Sequence, residues 1–278
     1  MVSMNKCCIC LAVMNVDIFI PKIIKNAQLI GGIFDECKII FFYDKSHDGT
    51  LNLIREYQQV HDNIHVIVND SPLEKERAKT HHLALARNGL INYVREKHGD
   101  YEFFIMMDAD DICTHVPNIG VLKKYLYRSD WDCLTFNKKH YYDLWALSMK
   151  ELPFSCWHFD HPKGYNAYNT LITEKLKNVK PCELIEVLSA FNGFGIYRTK
   201  KFEGAVYDGY ARRDLIPEYM MANNIKVCGE VQNFYWDPWV EGQDCEPRSF
   251  HMHARIMNDA KICICPEILF PTDPEFDV

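Results

Sequence analysis

Residues 103–111 have the sequence Phe-Phe-Ile-Met-Met-Asp-Ala-Asp-Asp, in which an apolar run ends directly at an acidic segment. A short apolar run that stops at polar residues is typical of a buried strand. Asp108 and Asp110 are two residues apart, so in an extended segment their side chains project in the same direction. Such a pair can hold one hard divalent cation, because Mg²⁺ and Mn²⁺ prefer oxygen ligands and often combine carboxylates with substrate phosphates. By itself, the segment is also compatible with a solvated acidic turn.

The chain before this segment alternates short apolar runs with segments of helical periodicity. We predict strands over residues 7–13, 38–43, 64–68 and 102–107, and helices over 18–34, 51–60 and 74–97. Strands that alternate with helices indicate βαβ units, and therefore an α/β fold with a mainly parallel sheet. In open sheets of this kind, ligands bind beyond the carboxyl ends of the strands. The acidic segment at 108–111 lies at such an end.

The pattern loosens after residue 112. We predict helices over 116–127 and 215–223, and strands over 132–136, 189–197 and 226–231. Residues 137–185 show little periodicity, and residues 234–278 are predicted to be irregular. Because there is no internal repeat and no Gly/Ser linker, residues 1–278 are expected to form a single domain.

Composition excludes several functional classes. Apolar residues make up 48% of the 278 residues and charged residues 25%, which is ordinary for a globular protein and argues against disorder. The net charge of −7 argues against a nucleic-acid partner, whose phosphates favour basic proteins. No apolar run approaches the ~18 residues of a membrane-spanning helix, and residues 7–14 are too short for a signal peptide. We therefore expect a cytoplasmic protein without signal peptide or membrane anchor, with Cys7 and Cys10 as reduced core residues rather than zinc ligands.

A second polar cluster follows the predicted strand 38–43. Residues 43–50 have the sequence Tyr-Asp-Lys-Ser-His-Asp-Gly-Thr. Asp44, at the end of the strand, can accept hydrogen bonds from a nucleobase or a ribose. Asp48 begins a segment with turn chemistry; its alternative interpretation is a structural turn that caps the next helix.

Taken together and in this order, the two clusters resemble the nucleotide-sugar-dependent glycosyltransferases of the GT-A fold. The resemblance implies a Rossmann-like nucleotide-binding half over residues 1–112 and an acceptor-binding half over 113–278. It also implies that Asp44, Asp48 and Asp108 lie near the donor nucleotide, and that Asp108 and Asp110 hold Mn²⁺ or Mg²⁺.

The segment between the two clusters strengthens the resemblance. Residues 86–88, Ala-Arg-Asn, are similar to a segment that lies near the nucleotide diphosphate in these enzymes. Arg87 suits a phosphate contact because its planar fork can bind two oxygens. The alternative is a charge exposed on a helix.

Segments 132–137, 141–147 and 192–197 resemble capsule-associated α-mannosyltransferase-like proteins and glycosyltransferase-like proteins of large DNA viruses. The resemblance to GT-A enzymes also implies a late carboxylate that positions the acceptor or acts as a base. Glu246 is the candidate and Asp244 its rival. It also implies a late histidine that completes the metal coordination, for which His251 is the candidate and His253 its rival.

The expected function is metal-dependent transfer of a sugar from a UDP- or GDP-linked donor to a hydroxyl group of a glycan or glycoconjugate. The donor sugar, the stereochemistry and the oligomeric state stay open. One alternative is a haloacid-dehalogenase-like phosphatase with Asp108 as nucleophile, although Asp111 and Ile112 do not fit its usual continuation. Others are a sugar-nucleotidyltransferase, disfavoured because residues 13–17 lack glycine, and a non-catalytic domain that binds glycans or nucleotide sugars. Five aromatic residues could stack on a sugar or pack in the core: Trp145, Trp157, Tyr165, Trp236 and Trp239.

Overall fold

The computed structural model of the chain describes residues 5–69, 78–156, 163–220, 222 and 243–271. The strands within them are β1 (Lys6–Val13), β2 (Glu36–Tyr43), β3 (Ile64–Val68), β4 (Phe103–Met107), β5 (Cys133–Asn137), β6 (Ile185–Val187), β7 (Phe194–Arg198) and β8 (Ile262–Ile268). The α-helices within them are α1 (Ile20–Gly31), α2 (Thr50–Val60), α3 (Lys79–His98), α4 (Ile119–Leu126), α5 (Lys163–Asn178) and α6 (Glu246–Asn258).

The described strands form one mixed sheet in the order β3-β2-β1-β4-β7-β5-β8-β6. Strands β3, β2, β1 and β4 are parallel to their neighbours, as the alternation of strands and helices predicts. Strand β7 lies antiparallel between β4 and β5, and β8 is parallel to β5. Since β7 runs against β4, the end of β4 meets the beginning of β7, with Met107 opposite Phe194. The sheet therefore combines strands from both halves of the chain.

The two faces of the sheet carry separate apolar clusters. Alternate residues of β1 explain this, because Cys8 and Cys10 face one cluster while Cys7 and Ile9 face the other. The first cluster packs against α3 and the second against α1. Cys7 and Cys10 are fully buried, which confirms the prediction that they are core residues.

Helix α1 illustrates how the sequence specifies the first half. Proline stands in its first turn, where a missing backbone N–H costs nothing. Its buried face repeats at helical spacing through Ile20, Ile23, Ile24, Ala27 and Ile30. None of the helices in the described part of the chain is both long enough and apolar enough to span a membrane.

The predictions for residues 116–136 and for the strands before them agree with the structure to within a few residues, and β3 has the predicted bounds. The second half differs more. Helix α5 and strand β6 lie where no regular element was predicted, and the prediction that residues 234–278 are irregular is wrong because α6 and β8 lie there. The predicted strand over 226–231 lies outside the described residues.

Candidate active site

A cleft of about 410 Å³ opens at the carboxyl ends of β1, β2 and β4, against the first two turns of α3. This is the position expected for ligands of an open α/β sheet. The cleft is lined by Ala12, Val13, Met14, Val16, Phe42, Asp44, Lys79, His82, Leu83, Ala86, Arg87, Asp108, Ala109 and Asp110. It therefore brings together four of the residues predicted from the sequence: Asp44, Arg87, Asp108 and Asp110.

Asp108 and Asp110 follow β4 in a backbone turn that is fixed on both sides. The backbone N–H of Asp108 donates to the carbonyl oxygen of Gly193, at 2.9 Å, just before β7. The carboxylate of Asp110 accepts from the backbone N–H of Ile112, at 3.2 Å, and so caps a short 3-10 turn. Both side chains contribute to the lining of the cleft, as the spacing of the two residues predicts.

The electrostatics of the cleft favour a cation. Burial raises the pKa of Asp108 to about 7, against the opposing charge of Arg87, and the carboxylates of Asp110, Asp143 and Glu246 raise it further. Burial also raises the pKa of Asp110. Carboxylates held together resist ionisation unless a positive charge compensates them.

The donor set fits a hard divalent cation of the Mg²⁺ or Mn²⁺ type. Asp108 and Asp110 supply carboxylate oxygens, and a phosphorylated substrate can supply the remaining ligands. Within the described residues there is no group of three or more His, Cys, Asp or Glu side chains arranged around one metal position.

Arg87 lies in α3 at the back of the cleft, with its side chain only 5% exposed. Its Nη2 donates to Oδ1 of Asp108 at 2.9 Å, and its Nη1 donates to Oε1 of Glu246. The guanidinium also lies over the ring of Phe191, 4.4 Å from the centroid. Burial acts to lower the pKa of Arg87, but Glu246 and Asp108 outweigh it and raise that pKa above its ordinary value. Arg87 is therefore a buried, doubly paired cation and not a charge exposed on a helix.

The two rival carboxylates have different surroundings. Glu246 is the first residue of α6, is 2% exposed, and contacts Arg87. Its pKa is raised by burial, which Arg87 partly offsets. Asp244 accepts from its neighbour's backbone N–H at 2.8 Å and from Nε of Arg248 at 2.8 Å. Arg248 also donates to the carbonyl oxygens of Leu147 and Pro153, so Asp244 anchors the start of α6 to that segment.

His251 lies in the core and not in the cleft. Its Nδ1 is 3.0 Å from Oγ of Ser189, and its Nε2 is 3.2 Å from the hydroxyl of Tyr197. Burial lowers the pKa of His251 to about 3. His253 is also outside the lining of the cleft, with its Nδ1 3.2 Å from the carbonyl oxygen of Val206. The prediction of His251 as a metal ligand is corrected, because both of its ring nitrogens are occupied by core partners.

Asp44 and Asp48 have different surroundings in the structure. Asp44 lines the cleft at the end of β2, where Oδ1 accepts from the backbone N–H of Lys45 at 2.8 Å. Asp48 does not line it. Its two oxygens accept from the backbone N–H groups of Thr50 and Asp17, both at 3.1 Å, and so join the loops after β1 and β2. These hydrogen bonds favour the interpretation of Asp48 as part of a structural turn over its interpretation as a contact with the donor.

Asp143 is a third carboxylate near Asp108 that received no role from the sequence. Its carboxylate accepts from the backbone N–H of Ala146 at 3.1 Å and from that of Asn192 at 3.0 Å. The backbone N–H of Asp143 in turn donates to Oδ1 of Asn192 at 3.3 Å. This reciprocal contact joins the segment after β5 to the turn that carries Gly193. A lone acidic residue inside the aromatic stretch 141–147 was the available signal.

Two lysines also surround the acidic turn. Lys79, the first residue of α3, lines the cleft, and its charge acts to lower the pKa of Asp110. Lys138 donates to the carbonyl oxygen of Ile112 at 2.7 Å. Among the predicted aromatic platforms, Trp145 is half-buried and Tyr165 is 40% exposed on α5, whereas Trp157, Trp236 and Trp239 lie outside the described residues.

Comparison with known proteins agrees with this geometry. The sequence profile named Glycosyl transferase family 2 matches residues 8–177. Among solved structures, S. aureus TarS 1–349 in complex with UDP has a TM-score of 0.51 and 14% identity, covering 97% of this chain and 61% of that chain. The likeness shows that the chain has the fold of these GT-A proteins.

A second similar structure is the mannosyltransferase PcManGT from Pyrobaculum calidifontis in complex with GDP-Man and Mn²⁺. It has a TM-score of 0.46 and 13% identity, covering 74% of this chain and 48% of that chain. The chain thus spans about three fifths of the TarS fragment, 61%, and less of the mannosyltransferase. No curated protein sequence matches the chain.

Proposed function

Because the chain belongs to glycosyl transferase family 2, we propose that it transfers a sugar from a nucleoside diphosphate sugar to a hydroxyl group of a glycan or glycoconjugate acceptor. The observation that carries this proposal is the cleft at the strand ends, where Asp108 and Asp110 face the same space. A buried Arg87–Glu246 pair lies directly behind them. Family membership speaks against the phosphatase and the nucleotidyltransferase as alternatives.

The donor nucleotide is proposed to lie over the ends of β1 and β2. Asp44 lines that part of the cleft and offers a carboxylate oxygen to a ribose hydroxyl or to a base N–H. Apolar side chains of Val13 and Met14 lie in the same lining and suit the face of a base. The donor is expected to be UDP- or GDP-linked.

Asp108 and Asp110 are the proposed ligands of Mn²⁺ or Mg²⁺. When bound, such an ion neutralises the negative charge that develops on the nucleoside diphosphate as the sugar leaves. A cation on these carboxylates would lie beside the first turn of α3, where Lys79 adds positive charge for the diphosphate end of the donor. Arg87, for which a phosphate contact was predicted, has both Nη atoms paired with carboxylates, so Lys79 is the positive charge that we place beside the diphosphate.

Glu246 is the proposed residue for the acceptor side. A carboxylate within reach of the acceptor hydroxyl can remove its proton as the oxygen attacks the sugar, which an inverting enzyme requires. The raised pKa of Glu246, caused by burial, makes it a better proton acceptor than an exposed carboxylate. Asp244 is a poorer candidate because Arg248 and a backbone N–H engage its oxygens.

A donor panel tests the function. The purified protein is incubated with UDP- and GDP-sugars, with Mn²⁺ or with EDTA, and release of UDP or GDP is measured. Release from one donor that EDTA abolishes is the expected result. A protein that releases neither nucleotide and is not stabilised thermally by UDP or GDP with Mn²⁺ would contradict the proposal, since native-state ligands raise the melting temperature. Stabilisation without release from any donor, with or without acceptors, would indicate a non-catalytic binding domain.

A further inference from the structure

At the back of the cleft, one positive side chain, Arg87, contacts two carboxylates that differ in their exposure to solvent. Arg87 supplies one positive charge to the carboxylates of Asp108 and Glu246. The side chains of Arg87 and Glu246 are 5% and 2% exposed, whereas that of Asp108 is 28% exposed. The pair Arg87–Glu246 is thus sealed from solvent, while the contact with Asp108 lies at the edge of the cleft.

Asp108 is also the residue that the proposed cation needs. Its Oδ1 accepts from Arg87 Nη2 at 2.9 Å, so this oxygen is occupied when no cation is bound. A carboxylate oxygen held by a guanidinium must give up that charge-assisted hydrogen bond to coordinate a metal in the same direction. Arg87 and a divalent cation therefore compete for Asp108.

The packing determines which partner moves. The guanidinium of Arg87 lies 4.4 Å from the centroid of the Phe191 ring and is held between this ring and Glu246. If the guanidinium moved away from Glu246, this buried carboxylate would lose its counter-charge, which is energetically costly. Asp108 can instead turn toward the open cleft without exposing any buried charge. The exchangeable contact is the one with Asp108.

We propose that Arg87 is a positioning residue that exchanges partners: it holds Asp108 while the cleft lacks a cation, and binds Glu246 alone once a divalent cation has taken Asp108. The inference rests on the proposed function, because it assigns a consequence to cation binding at the donor site. It predicts that cation binding removes one partner of Arg87 and leaves the Arg87–Glu246 pair in place.

Binding of Mn²⁺ alone tests the exchange without any dependence on turnover. Free Mn²⁺ is measured by electron paramagnetic resonance while the intact wild-type protein and its Arg87→Met variant are titrated in the absence of nucleotide. Because Arg87 no longer competes for Asp108, the variant is expected to bind Mn²⁺ with a Kd about tenfold lower, the size expected for a lost charged hydrogen bond. Its kcat should fall, because Glu246 has lost the group that orients it.

Lys79→Met is the matched control for loss of a nearby positive charge. Lys79 lines the same cleft, and the hydrogen bonds and ion pairs of the described residues include none between it and Asp108. Its removal is expected to change the Kd for Mn²⁺ by less than about threefold, as a screened interaction would. Equal effects of the two substitutions would overturn direct competition.

The Arg87→Met variant leaves the buried Glu246 without a counter-charge, which favours misfolding. A second pair of proteins therefore tests the same exchange without that unpaired charge. In Glu246→Gln and Glu246→Gln/Arg87→Met a neutral amide replaces this carboxylate. The double variant is again expected to bind Mn²⁺ more tightly than the Glu246→Gln protein. Unchanged or weaker binding in both backgrounds would overturn the inference while leaving Mn²⁺-dependent donor cleavage by the wild type intact. If the wild type binds no Mn²⁺ with or without UDP or GDP, the proposed metal-dependent function fails as well.

Discussion

Arg87 in α3 and Glu246 at the first position of α6 form an ion pair in which both side chains are at most 5% exposed. The two residues are 159 positions apart in the chain. Their contact connects α3, which borders the cleft, to the last described helix. A buried pair of this kind is expensive to break by removing one partner, because the remaining charge is left unsolvated. The ion pair therefore joins the first and second halves of the chain.

Asp110→Asn is expected to lower donor cleavage at saturating donor and Mn²⁺ by about 100-fold or more, because it removes one of the two proposed cation ligands. The fold should be kept, since an asparagine oxygen can still accept from the backbone N–H of Ile112. Activity is measured by release of UDP or GDP, and folding by thermal melting. Asp111→Asn is the control, because Asp111 is exposed and absent from the lining of the cleft. Equal activity of both variants would remove Asp110 from the metal site.

Glu246→Gln and Asp244→Asn each remove one partner of a buried ion pair, but they are expected to differ in their effect on turnover. Glu246→Gln should lower kcat by about 100-fold with little change in donor KM, because it removes the proposed base. Asp244→Asn should mainly lower the free energy of unfolding, by about 3 kcal/mol, because it leaves the buried Arg248 without its counter-charge. Steady-state kinetics and urea unfolding on both variants distinguish the two roles. Loss of turnover in Asp244→Asn at full stability would assign the base to Asp244.

Three strands of the first half, β1, β2 and β4, could be predicted because they carry buried apolar runs, whereas the half-buried β3 was indicated by alternation. Strand β4 is entirely buried, and β1 and β2 carry long apolar runs, so their sequences indicate strands without tertiary context. Helix α6 could not be predicted in this way. Its buried residues include Glu246, Arg248, Ser249 and His251, and the polar groups of Glu246, Arg248 and His251 have partners in distant parts of the chain. Apolar periodicity is absent where a helix buries polar side chains.

The same distinction applies to the site. Asp44, Asp108 and Asp110 could be predicted because they stand at the ends of recognisable strands, where an open sheet binds its ligands. The partners of Arg87 depend on how α6 packs against α3, which no local pattern records. His251 and Asp48 are polar residues near motif-like segments, yet they satisfy core and turn hydrogen bonds. Their sequence neighbourhoods contain no signal that distinguishes a structural polar residue from a ligand.

Stability should depend on His251 in mildly acidic solution. Its pKa is about 3 in the folded protein, against an ordinary value of 6.5. The stabilisation from a neutral buried His251 is therefore fully present above pH 6.5 and is lost as the pH falls toward 3. Between pH 7 and pH 5 the loss amounts to about 2 kcal/mol.

His251→Gln isolates this contribution, because the other titrating groups are common to both proteins. The free energy of unfolding is measured by urea titration at pH 7 and at pH 5 for both proteins. Its decrease from pH 7 to pH 5 is expected to be about 2 kcal/mol smaller in the variant than in the wild type. The Kd for Mn²⁺ should be equal in the two proteins, since His251 has its ring nitrogens occupied in the core. An equal pH dependence together with weakened Mn²⁺ binding would restore His251 as a metal ligand.

Gly193 is expected to be essential for the metal site through its backbone. It has a φ of +82°, and a Cβ there would lie 2.5 Å from Cγ2 of Ile112, while its carbonyl oxygen accepts from the N–H of Asp108. Gly193→Ala should therefore lower the free energy of unfolding by about 1–3 kcal/mol and also weaken Mn²⁺ binding, because the turn that carries Asp108 must shift. Gly204→Ala is the matched control, since Gly204 has a φ of +75° and a Cβ there would meet Cε of the exposed Met257. Gly204→Ala introduces the same kind of backbone strain as Gly193→Ala, so it should also lower the free energy of unfolding. It should nevertheless keep the wild-type Kd for Mn²⁺. Unchanged Mn²⁺ binding in Gly193→Ala would show that this backbone contact does not position Asp108.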